Sequence, residues 1–320
     1  MTHAENVNQA IDLLRRGVPV AFPTETVYGL GAIATDEDAV RVVFGMKGRP
    51  SNNPLIVHVP SIETAEGLTD TWDDRCKRLS QVFWPGPLTL VVPRAPSIPD
   101  AVTAGLSTVG LRCPDHPVAL ELLTVLGEPL VGPSANRSGA VSPTTADHVR
   151  AGFGEDAPFV LDGGPCRTGI ESTVLDCSGE TPRVLRPGVI GHDAISEALG
   201  TEVKAWAAGA RAEIVASPGL LGPHYRPDAP VLLIDPDAIG AEHKTVFLLR
   251  TAERPEKGWA IRLPEDPEGY AAELYAALRL ADRFSPARIL IERPPTDDPD
   301  PKLAAIWRAV NERLSRAAAG

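Results

Sequence analysis

The apolar positions along the chain change period several times, and each change marks an element. Val7, Ala10, Ile11 and Leu14 recur at helical spacing and stop before Gly17, and residues 18–22 then read as a short buried strand closed by Pro23. Residues 24–31, dense in hydroxyls and glycines, read as a loop. Thr35 with Asp38 resembles a capping box for a helix carrying Val40, Val43 and Phe44 on one face and ending near Gly45. Lys47-Gly48-Arg49-Pro50 then falls in a helix-to-strand loop. Further strands are expected at 55–59, 88–92, 108–112, 130–132, 159–161, 172–176 and 183–185, with helices between several of them. This is a mixed α/β pattern that ends near Gly200.

The periodicity weakens between Ala207 and Pro230, where Ser217-Pro218-Gly219 and Pro223-His224-Tyr225-Arg226-Pro227 have the composition of an ordered linker. Beyond it, strand-like runs at 231–234, 246–249, 259–263 and 289–291 alternate with helical patterns. Leu303, Ile306, Trp307, Val310 and Leu314 form the stripe of the last helix, so a small doubly wound sheet is expected. The expected organisation is residues 1–205, a linker at 206–230, and a second α/β domain at 231–320. A chain of 320 residues is long enough for two cores.

Composition narrows the function. Hydrophobic residues make up 43% and charged residues 23%, typical of a globular protein, and the formal net charge of −11 argues against a protein built to grip a phosphate backbone. Cys76, Cys113, Cys166 and Cys177 are widely spaced, without a C-x-x-C, and read as buried reduced thiols. No apolar run approaches the length of a membrane span, and the first ten residues are polar, so a cytoplasmic location is expected. Neither glycine-rich run at 29–34 or 152–157 follows a strand and opens a helix, and no G-x-x-x-x-G-K-[ST] occurs, so any nucleotide is held without a P-loop. Gly132-Pro133-Ser134-Ala135-Asn136 lacks the second glycine of a nucleophile elbow, and no metal-ligand spacing is present.

What remains is a set of polar residues at strand ends and adjoining loops, the usual place for ligands in open α/β sheets. They lie at 24–28, 47–58, 108–112, 134–138, 172–173 and 186–188. Lys47, Arg49, Arg112 and Arg186 offer four cations to one site in an acidic protein, which suits a polyanion together with a carboxylate. Each has a plainer reading: a solvated turn for Lys47 and Arg49, turn bonding for Ser134 and Asn136, a core histidine for His58, packing aromatics for Tyr28 and Tyr225, and a helix start for Thr144.

The segments 22–31, Lys47-Gly48-Arg49-Pro50, Asn53-Pro54-Leu55, Trp84-Pro85-Gly86-Pro87-Leu88-Thr89, Gly132-Pro133-Ser134-Ala135-Asn136 and Leu185-Arg186-Pro187-Gly188 resemble, in order, the signatures of the Sua5/YrdC family. The resemblance implies a YrdC-like twisted mixed-sheet α/β domain followed, as in the Sua5 form, by a smaller Rossmann-like domain joined through a linker that can close over the active site. It also implies synthesis of L-threonylcarbamoyladenylate and pyrophosphate from L-threonine, bicarbonate or CO2, and ATP, the first step of N6-threonylcarbamoyladenosine formation in tRNA. By the same resemblance Lys47 and Arg49 are the catalytic pair. Thr26, His58, Thr108, Arg112, Ser134 and Ser172 would receive threonine, and Lys47, Arg49, Asn53, Ser134, Asn136, Thr144, Arg186, His224 and Tyr225 would receive ATP. Mg2+ would arrive with ATP, with no organic cofactor and no protein-ligated metal. The adenylate would pass to a threonylcarbamoyl transferase complex by transient contact, with weak or no direct tRNA binding and no membrane. Leu221, Gly222 and Pro223 depart from the polar and basic residues usual before the His-Tyr pair.

Two other readings fit the chain less well. Other YrdC-type carbamoyltransferases carry zinc-finger and transferase modules for which the residues after Pro230 show no signature. A structured-RNA-binding module without catalysis is disfavoured by the net charge.

Overall fold

The computed structural model describes residues 2–206, 224–238 and 243–319; the linker elements singled out at 217–223 lie outside the described residues. Nine strands form one mixed sheet: β1 Val20–Phe22, β2 Gly29–Ile33, β3 Ile56–His58, β4 Leu88–Pro93, β5 Thr108–Arg112, β6 Leu130–Val131, β7 Phe159–Val160, β8 Thr173–Asp176 and β9 Arg183–Arg186. Their spatial order is β7-β1-β2-β6-β3-β5-β4-β8-β9. Helices α1 His3–Arg15, α2 Glu37–Lys47, α3 Ile62–Glu66, α4 Asp74–Phe83, α5 Asp100–Thr103, α6 Pro117–Leu126, α7 Ala146–Phe153 and α8 His192–Leu199 connect and flank them. A second sheet, all parallel and ordered β10-β13-β11-β12, comprises β10 Val231–Ile234, β11 Thr245–Leu249, β12 Trp259–Arg262 and β13 Arg288–Glu292, with α9 Pro267–Asp282 and α10 Pro301–Ala318.

The predicted stripe of α1 is the buried one: Val7, Ala10, Ile11 and Leu14 pack inward, and Thr2 and Glu5 close a capping box at its start. Two local expectations are corrected. The cap of α2 is Asp36, whose side chain accepts from Ala39 N, and the helix runs through Gly45 to Lys47, ending at Gly48 in the left-handed conformation (φ +58°). Lys47 therefore ends a helix instead of lying in a loop. The stretch read as a loop to Gly31 contains strand β2, paired antiparallel with β1. Gly29 and Gly31 cross the ring of Phe22, where a Cβ would approach ring carbons to 2.9 and 3.0 Å, so their lack of side chains lets a strand pass there.

Strand alternation divides the large sheet. Val57, Leu90, Val92 and Leu175 point into the main core, whereas Ile56, Val91, Val174 and Leu185 form a small apolar cluster on the other face. That second face bears the cleft described below. The second core extends across the boundary: Val27, Val141 and Ile170 pack with Tyr225, Tyr270, Leu274 and Trp307. The α10 stripe is buried as predicted, yet Glu312, Arg313 and Arg316 are buried too, because the opposite side of the helix lies against the first domain. Among the described residues no helix is long and apolar enough to cross a membrane, and all four cysteines are free and buried.

Candidate active site

One cleft gathers the ends of several strands. It is lined by Thr26, His58, Arg112, Ser134, Ser172 and Arg186 from the large sheet and its loops, with Arg49 beside them and His224 and Tyr225 closing it. The strand register explains part of this convergence: His58 ends β3 opposite Arg112, which ends the parallel neighbour β5.

Arg112 is 4% exposed and held on three sides. Its Nε donates to Gly86 O at 3.2 Å, Nη1 donates to Thr26 Oγ1 at 2.9 Å, and Nη2 lies 2.7 Å from Glu25 Oε1. Glu25 is 1% exposed, and this last contact is a close ion pair without hydrogen-bond alignment. Thr26 Oγ1 also meets Thr24 Oγ1 at 2.8 Å, and Thr24 in turn donates to Val27 O, so the guanidinium sets the conformation of the 24–27 turn. His58 is buried against Phe22, edge to face at 5.5 Å, and its Nδ1 has no hydrogen-bond partner among the described residues. Burial, followed by the nearby Arg112 charge, lowers its pKa to about 3, so it is a neutral imidazole in the folded protein. The backbone passes His58 at Gly132, where a Cβ would sit 2.6 Å from Nδ1. Gly132→Ala is therefore expected to destabilise the protein by about 1–3 kcal/mol. Denaturant unfolding measures this, and an unchanged midpoint would contradict the crowding.

Arg49 and Arg186 supply the opposite wall. Arg49 donates from Nε to Asn53 O at 3.1 Å and from Nη2 to Pro54 O at 2.8 Å. Arg186 donates from Nε and Nη2 to Ser172 O at 3.1 and 3.0 Å, and from Nη2 to Ser172 Oγ at 3.1 Å. Ser172 Oγ lies 2.8 Å from Thr89 Oγ1. Both arginines are pushed below the usual guanidinium range, foremost by burial; two facing cations with little solvent form a strong anion site. Tyr225 adopts a left-handed backbone (φ +62°), which strains a non-glycine residue. It is held there by stacking on Tyr275 at 5.4 Å. The His224 ring meets Tyr225 edge to face at 4.3 Å, and its Nδ1 is buried without a partner among the described residues.

Five of the expected contacts do not line this cleft. Lys47 is buried behind it, with Nζ donating to the carbonyls of Ser134 (2.5 Å) and Asn136 (2.6 Å), so it clamps the 134–136 loop from the rear. Burial, reinforced by Arg49, holds its pKa well below the usual lysine value. Asn53 is buried in the turn gripped by Arg49. Asn136 donates from Nδ2 to Arg137 O and Ala140 O at 2.8 and 2.9 Å, and it faces a second interdomain groove with Arg137, Arg226 and Arg279. Thr144 bonds to His148, whose helix α7 starts at the Thr145 cap, which accords with its reading as a helix start. Thr108 pairs with Pro93 at the far end of β5 from Arg112, about 13 Å away for four residues of strand.

The sequence reasoning missed Glu25, Glu171 and Arg313. Glu171 lines the cleft, and Arg313 reaches it from α10. Glu171 directly precedes Ser172, and a lone carboxylate among gathered arginines was the available signal.

A mixed-sheet domain whose buried arginines converge with small hydroxyl side chains in a cleft closed by His224 and Tyr225, with a second α/β domain packed behind, defines a two-domain enzyme for an anionic substrate. Residues 12–188 match the model of a family described as "Telomere recombination" (Sua5/YciO/YrdC), and residues 190–319 match "Threonylcarbamoyl-AMP synthase, C-terminal domain". A Bacillus subtilis threonylcarbamoyl-AMP synthase is 38% identical over 100% of this chain and 94% of its own length, and one from Pyrococcus abyssi is 39% identical over 88% and 87%. The crystal structure of P. abyssi Sua5 complexed with L-threonine superposes with a TM-score of 0.87 at 35% identity, covering 99% of this chain and 95% of that one. The chain belongs to the Sua5/YrdC family, in its two-domain form.

Proposed function

We propose that this protein forms L-threonylcarbamoyladenylate and pyrophosphate from L-threonine, bicarbonate or CO2, and ATP, as the first step of N6-threonylcarbamoyladenosine synthesis in tRNA. The observation that carries this reading is the convergence of Arg49, Arg112 and Arg186 with His58, Ser134 and Ser172 in one buried cleft. The division of labour is residues 1–205 for chemistry, 206–230 as a linker that closes over the active site, and 231–320 as a Rossmann-like second domain.

Threonine's neutral amine forms an N–C bond to CO2, supplied directly or by dehydration of bicarbonate; one C=O π pair moves onto oxygen and the amine proton passes to water, giving a carbamate. A carbamate oxygen then attacks the α-phosphorus of ATP in line, and the bond to the departing pyrophosphate breaks. Charge stabilisation and alignment are the whole task, and the cleft's residue types suit both. Arg112 faces the threonine carboxylate, with Thr26, His58, Ser134 and Ser172 shaping the pocket. A neutral His58 beside the amine leaves that nitrogen free of a neighbouring proton donor in its charged form. Arg49, Ser134, Arg186, His224 and Tyr225 face the nucleotide, while Lys47 holds the 134–136 loop and the Asn53 carbonyl holds Arg49 from behind; Asn136 and Thr144 stand outside that shell. Mg2+ arriving with ATP would neutralise phosphate charge.

The adenylate passes by transient contact to a threonylcarbamoyl transferase complex, with little direct tRNA binding, and we place the reaction in the cytoplasm, where buried free thiols stay reduced. The test mixes the full chain with ATP, threonine and bicarbonate and follows pyrophosphate. Release that ignores threonine, or salt-sensitive RNA affinity without turnover, refutes the reading. Within it, Thr108→Ala is expected to leave KM for threonine within about twofold of the parent, as for a substitution remote from the site. A rise of about tenfold would return Thr108 to the pocket.

A further inference from the structure

We infer that Arg313, on the second domain, is a positioning residue for nucleotide binding: it pins and neutralises Glu171, which otherwise presents to the phosphates a carboxylate without its closest cation. This rests on the assignment of ATP to the Arg49 and Arg186 side of the cleft.

Arg313 is fully buried and reaches across the domain boundary. Its Nε donates to Glu171 Oε2 at 3.1 Å, Nη2 to Glu171 O at 3.2 Å, and Nη1 to Pro187 O at 2.7 Å. These are the neighbours of Ser172 and Arg186, so one guanidinium fixes the backbone beside both cleft residues. Tyr275 of α9 adds a hydrogen bond to Glu171 Oε2 at 2.9 Å while stacking on Tyr225, and Ser142 donates to Oε1 at 2.7 Å. Burial pushes the Glu171 carboxyl up, but Arg313 and then Arg186 hold it at about 2, so it is an anion.

The charges facing it come from several elements: Arg313, Glu312 and Arg316 on α10, Arg186 on β9, and the neutral His224. On α10 the two arginines and Glu312 leave one positive charge over, and that charge matches Glu171. With Arg186 counted, three arginines stand against Glu171 and Glu312 and leave one positive charge; removal of Arg313 cancels it and takes from Glu171 its closest cation at the wall of a polyanion site. An isolated first domain would carry the same defect, which gives the second domain an electrostatic task.

The experiment measures KM for ATP, kcat and the thermal midpoint in full-length variants. Arg313→Met is expected to raise KM for ATP about tenfold, with kcat changed less than about threefold. Glu171→Gln also lowers the thermal midpoint, because it leaves Arg313 short of its partner, but KM for ATP stays at or below the parent value. Arg313→Lys keeps the charge and stays near the parent, and Glu171→Gln added to Arg313→Met restores KM. If Arg313→Met and Glu171→Gln raise KM alike, or if Arg313→Met leaves it unchanged, the inference is overturned. Arg186→Ala separates the two readings. An unchanged KM for ATP in that variant removes the nucleotide assignment and the inference with it, whereas a raised KM alongside equal effects of the other two variants removes the inference alone.

Discussion

Arg112→Ala is expected to lower threonine-dependent pyrophosphate release about 100-fold, the scale of a lost charge-assisted hydrogen-bond pair, and also to destabilise the fold. Two effects are superimposed because Arg112 has two sets of partners. Its free side faces the cleft, and its rear pairs with Glu25, which is 1% exposed. Removing one member of a buried pair costs about 3–5 kcal/mol, because the carboxylate is left without compensation. The double variant Glu25→Gln, Arg112→Met removes both charges and is expected to recover most of the thermal midpoint without recovering activity. The decisive quantity is KM for threonine in that double variant. If it matches the parent, Arg112 only pins the 24–27 turn and a different group receives the carboxylate. If it rises by about 100-fold while the midpoint recovers, the guanidinium contacts substrate directly.

The legible parts of this molecule are those with a local period. The stripe of α1 and the five residues of β5 follow from spacing alone, because burial on one face imposes a repeat of 3.6 or 2. The α10 stripe was legible for the same reason, but its buried Glu312, Arg313 and Arg316 were not. Those residues pack on a second surface, and a helix buried on both sides loses the polar face that periodicity looks for. The pairs Glu171–Arg313 and Glu171–Tyr275 join positions 142 and 104 residues apart, and no local rule links them. The family resemblance brought in residues that line the cleft, such as Arg49, Arg186 and Ser172, together with residues one layer back, such as Lys47 and Asn136, because a motif marks a segment and not the direction of each side chain. The separation of Thr108 from Arg112 was legible in the sequence itself: four residues apart on one strand, the two stand at its opposite ends.

The histidines give the second large effect, a steep loss of stability in mild acid. His58 and His224 are both buried and neutral, each lowered to about 3; burial is the main cause, with Arg112 next for His58 and with Arg49, Lys47 and Arg316 adding for His224 against the opposing pull of Glu171. A histidine whose folded pKa lies below its unfolded value, about 6.5, takes up a proton on unfolding throughout the interval between them. Stability is therefore unaffected above about pH 7 and falls as pH drops below about 6.5, continuing toward the folded value. At pH 5 each such histidine removes about 2 kcal/mol, so the pair removes about 4 kcal/mol, a large share of the 5–15 kcal/mol typical of a domain. His148, lowered to about 4, acts in the same direction through burial and Arg279. Glu171 contributes the opposite case: its depressed carboxyl stabilises above the unfolded carboxylate range and loses that contribution only as pH falls from about 4.5 toward 2. The acid sensitivity between pH 6.5 and 5 thus belongs to the histidines. Urea unfolding between pH 5 and 6 is expected to show a slope of about 1.4 kcal/mol per pH unit for each buried neutral histidine, and His58→Gln or His224→Gln each to remove about one such increment. Slopes identical in the parent and both variants would mean that these imidazoles keep an ordinary pKa in the folded protein, and with it that the cleft admits the water needed to charge them.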